Sequence, residues 1–205
     1  MKLYYSPGAC SLAPHIALNE AGIDADAIKV DLRTHKLADG TDYTTINPKG
    51  YVPLLELDDG TRLTEAAVVL QYIADRKPGK LAPPAGTLER WKLMEWLNYI
   101  ATEVHKGFGP LWHPEEIGDQ AVAATKAKLG KRLAFVESQL ARTPFLTGNA
   151  FTIADAYLFT VASWSGYLKV DISGFPHLVA YLKRIAERPA VVATLAAERK
   201  AKQPA

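Results

Sequence analysis

The sequence predicts a chain of two parts, a small α/β unit followed by an all-helical unit. Strand-like and helix-like stretches alternate in residues 1–79, and residues 80–86 are rich in proline and glycine. Only helical patterns follow in residues 87–205. Alternating strands and helices are typical of a sheet covered by helices, whereas a run of helices is typical of a helical bundle.

The composition restricts the class of protein further. Of the 205 residues, 48% are hydrophobic and 22% are charged, which excludes a disordered or collagen-like chain. The net charge of +2 gives no electrostatic footprint for nucleic acid. No apolar run is long enough for a signal peptide or a membrane span, and a single cysteine favours a reducing compartment. We therefore expect a cytoplasmic protein that binds neither nucleic acid nor membrane.

The first unit is expected to place two parallel strands around a helix, followed by a hairpin and a second helix. In chain order these elements are a strand at residues 3–5, a helix at 10–21, a strand at 28–32, a hairpin from 52–57 to 62–63, and a helix from 64 onward. The step from Asp59 to Gly60 indicates the hairpin turn, and Thr64 is placed to cap the helix that follows. The strand–helix–strand order favours a right-handed crossover.

The second unit is expected to contain five helices and a frayed tail. The helices are expected at residues 88–107, 120–140, 152–168, 175–187 and 189–197, and the tail at residues 200–205. Thr152 and Asp155 have the spacing of a capping box, in which each side chain satisfies a backbone N–H of the other residue. These two residues are therefore assigned to folding and not to chemistry.

Cys10 is the side chain best placed for chemistry, because it follows a turn and opens a helix. The start of a helix carries unpaired N–H groups and a partial positive charge, and both favour a thiolate over a thiol. A small buried cysteine without a chemical role is the alternative. Ser11 could cap the helix or donate to a sulfur, and capping is the commoner role. Because no second cysteine exists, the chemistry would need an external thiol.

Two further segments could hold an extended peptide. Val52 precedes a proline at the start of a strand, so its backbone groups could pair with a peptide as an added strand; an ordinary edge proline fits the sequence equally well. Glu65 lies in the first turn of a helix. It could complement the helix dipole, or it could bind an ammonium group of a ligand while the adjacent amides bind a carboxylate.

The first helix of the second unit carries residues at seven-residue spacing. Trp91, Asn98 and His105 are expected on one face, which could be solvated or could face a cleft or a subunit interface. Four aromatic residues could line an apolar pocket, although such residues are more often core: Phe108, Trp112, Trp164 and Tyr167. The five histidines have no spacing typical of zinc ligands, with each other or with Cys10, so no metal is expected.

Six segments spread along the chain form a specific combination. They are Met1 to Leu12, Asn47 to Pro53, Leu63 to Ala66, Glu95 to Asn98, Glu103 to Phe108, and Phe151 to Phe159. In this combination the chain resembles bacterial glutathione S-transferases of the beta class. The resemblance implies an α/β thioredoxin-like domain in residues 1–79 that binds glutathione and a linker at 80–86. It also implies an all-α domain in residues 87–205, with the electrophile pocket and the dimer contacts.

The resemblance implies roles for single residues. Cys10 matches the family's cysteine at the glutathione sulfur, and His105 matches a histidine near that sulfur. Val52 matches the residue whose backbone pairs with the cysteinyl unit of glutathione. Glu65 and Ala66 match the pair that holds the γ-glutamyl end, although glycine or serine is commoner at the second position.

Further residues complete the expected glutathione site: His35, Tyr51, Pro53, Asn98 and Lys106. Asn98 matches a residue that reaches glutathione across a dimer interface. His35, with Lys36 beside it, stands where many relatives have a lysine near the glycine carboxylate. Tyr51 replaces the usual glutamine.

The resemblance implies an enzyme that joins glutathione, as co-substrate, to a small hydrophobic electrophile. The aromatic residues of the expected pocket suggest that this electrophile is aromatic or halogenated. It implies a homodimer, and no cofactor is expected. The expected catalytic residues are Cys10, Ser11 and His105. Thiol–disulfide exchange through Cys10 is a second activity that could coexist with conjugation. The alternative is an interaction module that keeps the fold without catalysis, and the intact Cys10, Glu65 and His105 argue against it.

Overall fold

The computed structural model describes residues 1–202 and forms two compact units. Of the described residues, the first unit contains 1–81 together with 188–202, and the second unit is Ala82–Glu187. This division differs from the predicted one, which places all of residues 87–205 in one domain. The physical reason is that the last helix packs against the first helix of the α/β part. Among residues 1–202, every helix is too short or too polar to span a bilayer.

The first unit is built on a mixed sheet with the strand order β2-β1-β3-β4. The strands are β1 at Lys2–Tyr5, β2 at Asp26–Lys29, β3 at Leu54–Glu56 and β4 at Arg62–Thr64. β1 pairs in parallel with β2 and antiparallel with β3, which pairs antiparallel with β4. The predicted parallel pair and hairpin are confirmed. β2 ends earlier than predicted, because Asp31 pairs with Lys36 in the following loop.

Two helices of the α/β part cover the sheet, α1 at Leu12–Ala21 and α2 at Ala66–Asp75. They pack against each other, and their buried side chains form the core with the sheet: Ile16, Leu55, Val69, Leu70 and Ile73. The prediction that Thr64 caps α2 is wrong. Thr64 is the last residue of β4, so Glu65 occupies the N-cap position, and its side chain makes no cap hydrogen bond. In the loop between β2 and β3, residues 43–45 form a short 3₁₀ turn.

The remaining helices follow the predicted order. They are α3 at Leu88–Tyr99, α4 at Lys106–Phe108, α5 at Pro114–Leu140, α6 at Ile153–Ala162, α7 at Trp164–Tyr167, α8 at Pro176–Ala186 and α9 at Pro189–Lys202. A π-helical segment, Ile100–His105, joins α3 to α4. α5 is broken at Gly118, where φ is 77°. The expected fraying is wrong for residues 200–202, which continue α9; the rest of that tail lies outside the described residues.

α6 forms the centre of the second unit, and all ten of its residues are buried. The predicted capping box at its start is confirmed. Asp155 Oδ2 accepts hydrogen bonds from the Thr152 N–H at 2.8 Å and from Thr152 Oγ1 at 2.9 Å. Asp155 Oδ1 accepts from the Leu146 N–H and the Tyr181 hydroxyl, both at 3.0 Å. Burial raises the pKa of Asp155, and these four hydrogen bonds oppose that effect.

Candidate active site

Cys10 lies between β1 and α1, one residue before the N-cap Ser11, and is half-buried. Its Sγ lies 3.2 Å from the Val52 carbonyl oxygen, to which the thiol donates. A carbonyl oxygen accepts only from the protonated thiol, so this contact favours the thiol, whereas the start of α1 favours the thiolate. The contact therefore brings the Cys10 sulfur beside the backbone of Val52, which was predicted to pair with an extended peptide.

Ser11 is completely buried, and its hydroxyl closes the turn that precedes α1. Ser11 Oγ accepts from the Ser6 N–H at 3.1 Å and donates to the Ser6 carbonyl oxygen at 3.2 Å. It makes no cap hydrogen bond to α1, so the prediction of a capping role is wrong. Because the hydroxyl proton is used by Ser6, these contacts are structural and argue against the expected catalytic role of Ser11.

The backbone N–H groups at the start of α1 are mostly paired, unlike the expected set of unpaired donors. The N–H of Leu12 bonds to the Ala9 carbonyl and that of Ala13 to the Cys10 carbonyl, and Pro14 has none. Only the N–H of Ser11, among these positions, lacks an acceptor within residues 1–202. The helix start therefore offers Cys10 its dipole and one free amide.

Val52 and Pro53 are both buried and are joined by a cis peptide bond. Tyr51, which precedes Val52, is held in place through its carbonyl oxygen. That oxygen accepts from the Tyr43 hydroxyl at 3.1 Å and from Asn47 Nδ2 at 2.7 Å. The N–H of Val52 has no acceptor among the described residues. It is the kind of donor that an added extended strand requires.

The start of α2 combines a carboxylate with unpaired amides. Glu65 has φ 67° and ψ 118°, a conformation that costs a non-glycine residue roughly 1–3 kcal/mol. Its carboxylate accepts from Lys49 Nζ at 2.6 Å and from the Tyr51 hydroxyl at 3.0 Å. The N–H groups of Ala66 and Ala67 have no acceptor within the described part of the chain. This end of α2 can therefore bind an anion at its amides beside a carboxylate that can bind a cation.

Lys49 is a further member of this cluster, and no role was predicted for it. Lys49 Nζ donates to Thr64 Oγ1 at 2.9 Å as well as to Glu65, and it lies over the Tyr51 ring at 5.7 Å from the centroid. Hydrogen bonding to Glu65 raises the pKa of Lys49. The available signal was a lysine inside the Asn-Pro-Lys-Gly turn that leads into Tyr51.

The structure distinguishes His35 from its neighbour Lys36. His35 Nδ1 lies 3.0 Å from the Gly50 carbonyl oxygen, so its ring packs on the segment that leads to Val52. Gly50 has φ 73°, and a Cβ there would lie 3.1 Å from the ring atom Cε1 of His35. The positive φ and this close approach together favour glycine at this position. The backbone of Lys36 instead forms isolated β-bridges with the backbones of Asp31 and Asp42.

In the second unit, His105 departs from the face on which it was predicted. Trp91 and Asn98 are exposed, whereas His105 is half-buried and its Nδ1 lies 2.7 Å from the Tyr157 hydroxyl oxygen. The cause is the π segment that ends at His105, because its wider turn shifts the residues that follow out of the seven-residue register. The prediction of one common face is therefore wrong for His105.

The predicted aromatic residues do lie together. The Trp164 ring contacts those of His105, Phe108 and Trp112 at centroid distances of 5.1, 5.8 and 5.3 Å. Trp112 in turn contacts Tyr167 at 5.6 Å. Phe108 is completely buried and therefore packs beneath the cluster, which corrects its expected place in a pocket lining. Trp112 is 40% exposed and Tyr167 is 77% exposed, so these rings are accessible.

Lys106 is exposed and lines a cavity of about 250 Å³ together with Glu103 and Arg132. None of the four predicted pocket aromatics lines this cavity. Asn98 presents its side chain on the surface of α3, while its carbonyl oxygen accepts from Thr102 Oγ1 at 3.0 Å. Within residues 1–202, one exposed cluster has donor atoms close enough for a metal ion, and it shares no residue with the predicted site: His113, Glu115 and Glu116.

The fold and these residues define a class: a thioredoxin-like domain that carries a cysteine before its first helix, joined to a helical domain with accessible aromatic rings. The comparisons identify the family. Residues 8–76 match the family described as glutathione S-transferase, N-terminal domain, and residues 99–189 match glutathione S-transferase, C-terminal domain.

Similar proteins cover nearly the whole chain. The chain is 48% identical to glutathione S-transferase GstA of Escherichia coli O157:H7, over 97% of this chain and 98% of that protein. A sphingomonad glutathione S-transferase solved in complex with glutathione is 47% identical, with a TM-score of 0.93, over 97% and 99% of the two chains. A beta class enzyme from Sphingomonas chungbukensis is 47% identical, with a TM-score of 0.91, over 97% and 98%.

The chain therefore belongs to the glutathione S-transferase family. It is an enzyme with the catalytic role of that family, and the resemblance to the beta class is confirmed. The GST fold, with a thioredoxin-like domain and a helical domain, is confirmed as well.

Proposed function

We propose that glutathione binds the first unit in an extended conformation, with its cysteinyl backbone paired to Val52. The N–H of Val52 is a buried donor without an acceptor among the described residues, which is what such pairing needs. The related sphingomonad enzyme was solved with glutathione bound, which supports the same ligand here. The observation that carries the proposal is the distance of 3.2 Å between Cys10 Sγ and the Val52 carbonyl oxygen, because it brings the thiol to the pairing segment.

The γ-glutamyl end of glutathione is assigned to the start of α2. Its α-carboxylate accepts from the unpaired N–H groups of Ala66 and Ala67, where the helix dipole also favours an anion. Its α-ammonium pairs with the Glu65 carboxylate, which Lys49 and Tyr51 hold in place. A carboxylate already oriented by two donors loses less conformational freedom on binding.

The glycine end is assigned to His35 and not to Lys36. The His35 ring lies against Gly50, two residues before Val52, and a protonated imidazole there could bind the terminal carboxylate.

In conjugation, the reacting group is the thiolate of glutathione. The dipole of α1 and the unpaired Ser11 N–H stabilise negative charge near Cys10. The thiolate attacks an electrophilic carbon with its electron pair, a C–S bond forms, and the leaving group departs with the electrons of the broken bond. The accessible rings of Trp112 and Tyr167 favour a planar apolar electrophile, aromatic or halogenated.

In thiol–disulfide exchange, the nucleophile is Cys10. Its thiolate attacks the glutathione sulfur of a glutathione mixed disulfide, the S–S bond breaks, and the other thiol leaves as a thiolate. A second glutathione thiolate then attacks the Cys10–glutathione disulfide, which releases oxidised glutathione and restores Cys10. A half-buried cysteine is accessible enough for this chemistry.

The proposal extends to His105, to the dimer and to the compartment. His105 acts on the thiol of glutathione, the role that the family resemblance assigns to it.

The exposed side chains of Trp91 and Asn98 give α3 a surface for a second copy of the chain. A lone cysteine and a reduced thiol substrate fit the cytoplasm. Light scattering tests the dimer, since a mass near 22.4 kDa would exclude it.

The catalytic proposal is tested with Cys10→Ala and Cys10→Ser, with retention on immobilised glutathione as the binding control. We expect both variants to bind glutathione, to keep part of the conjugation rate, and to lose the mixed disulfide that intact-mass spectrometry detects in the wild type. Failure of the wild type to bind glutathione would refute the whole proposal. A wild type that forms no mixed disulfide would refute the exchange reaction alone.

A further inference from the structure

Tyr157 is one of three buried residues with polar side chains in α6, together with Asp155 and Thr160. It lies on α6, and it is 2% exposed. A buried tyrosine hydroxyl needs a hydrogen-bond partner, because leaving it unpaired costs free energy. The Tyr157 hydroxyl oxygen lies 2.7 Å from His105 Nδ1, a short distance for a hydrogen bond between two neutral groups.

The His105 ring is held on several sides by the second unit. Its ring contacts Tyr157 edge-on at a centroid distance of 5.8 Å and Trp164 at 5.1 Å. The backbone beneath it is the end of the π segment, a rare conformation that is frequently found at functional sites. Ring packing and the hydrogen bond together fix which nitrogen of His105 faces Tyr157.

The direction of this hydrogen bond follows from acidity. A phenol is a much stronger acid than the N–H of a neutral imidazole, and the imidazole nitrogen without a proton is the better base. The favoured arrangement is therefore donation from the Tyr157 hydroxyl to Nδ1. A neutral imidazole carries one proton, so acceptance at Nδ1 places that proton on Nε2.

We propose that Tyr157 is a positioning residue that fixes neutral His105 as the Nε2–H tautomer. This inference rests on the proposed function of His105, and it deepens that function by choosing between two roles. With its proton on Nε2, the neutral ring can donate a hydrogen bond at that nitrogen and cannot accept a proton there. His105 is then a thiolate-stabilising donor and not a general base.

The direct test is the ¹⁵N NMR spectrum of the imidazole nitrogens in the wild-type enzyme, with His105 assigned by comparison with His105→Gln. We expect the neutral ring to show a protonated Nε2 and an unprotonated Nδ1. Tyr157→Phe keeps the ring contacts and removes the hydroxyl, so we expect a mixture of tautomers. Its kcat for conjugation should fall roughly 10-fold, as for other partners that orient a histidine, with KM for glutathione unchanged.

Tyr181→Phe is the matched control, because Tyr181 is another buried tyrosine of the same unit and bonds to Asp155 instead. It should leave the His105 tautomer and kcat unchanged. A wild-type ring protonated on Nδ1, or Tyr157→Phe with wild-type spectrum and kcat, would overturn the inference. If His105→Gln keeps the wild-type kcat, the proposed role of His105 fails, while the spectrum still reports the tautomer. The two failures are therefore distinguishable.

Discussion

Two helices of this enzyme begin in opposite ways. At the start of α6, Asp155 accepts four hydrogen bonds from Thr152, Leu146 and Tyr181, and the carboxylate is completely buried. At the start of α2, the Glu65 side chain makes no cap hydrogen bond, its backbone has a positive φ, and the next two amides lack acceptors among the described residues.

The difference favours a folding role for the start of α6 and a ligand-binding role for the start of α2. Cap hydrogen bonds stabilise a helix, so a start that lacks them is less stable than it could be. Strained backbone and unsatisfied donors persist where a ligand completes them. We therefore infer that α6 is built for folding and that α2 is built for glutathione.

The largest effect is expected at the capped start. Asp155→Ala removes the acceptor of several buried donors, each of which costs about 1–3 kcal/mol when unpaired, so unfolding free energy should fall by roughly 3–5 kcal/mol. Denaturant unfolding measures this change. Thr152→Ser keeps the hydroxyl and the backbone N–H, so its unfolding free energy should fall far less. Asp155→Ala with wild-type stability would show that the capping box is not a folding element.

Glu65→Gln should weaken glutathione binding and leave the unfolding free energy nearly unchanged. It keeps the side-chain size and removes the charge that is proposed to pair with the glutathione ammonium. We expect KM for glutathione to rise roughly 10- to 100-fold, since a hydrogen bond to a charged group contributes about 1.5–3 kcal/mol. Glu56→Gln is the matched control, because Glu56 also accepts from a lysine, Lys2, in the first unit. An equal change of KM in both variants would contradict the assignment of Glu65.

Ser11→Ala sharpens the contrast between structure and chemistry beside Cys10. It leaves the Ser6 N–H without its acceptor, whereas the Ser6 carbonyl oxygen still accepts from the Ala9 N–H, so we expect unfolding free energy to fall by about 1–2 kcal/mol. Because the hydroxyl proton is not available to a sulfur, kcat at a temperature where the variant is folded should match the wild type. A large loss of kcat with unchanged stability would restore Ser11 as a catalytic residue.

The smallest effect is a pH dependence at the sheet. Hydrogen bonding to Lys2, helped by Arg62, lowers the pKa of Glu56 in the folded state. A lowered folded-state pKa contributes stability that is present above the unfolded pKa and is lost as pH falls through the folded value. Glu56→Gln should therefore flatten the acid side of the stability curve, by less than about 1 kcal/mol for such an exposed pair. Thermal unfolding between pH 3 and 7 measures this, and a steeper acid limb in the variant would contradict it.

The sequence predicted the elements that depend on local signals. The Asp-Gly hairpin turn, the parallel pair and the capping box are all present. It failed where a contact outside the helix decides the outcome. Ser11 follows a helix-capping pattern, but the turn at Ser6 takes its hydroxyl.

The family resemblance predicts the candidate site residue by residue, but it does not predict the geometry of that site. A seven-residue spacing in the sequence does not reveal the π segment that moves His105 out of register. Lys49 and Tyr157 are site residues only through partners far along the chain, Glu65 and His105. Such pairs become visible when the fold brings them together.

The most direct test of the contrast between α2 and α6 is the amide NMR signal of each helix start during titration with S-methylglutathione, which cannot form a disulfide. We predict that the N–H signals of Ala66 and Ala67 shift in proportion to occupancy and exchange more slowly with solvent. The N–H signals of Leu146 and Thr152, already bonded to Asp155, should not change. Unchanged Ala66 and Ala67 signals at saturation would contradict the assignment of α2 to glutathione.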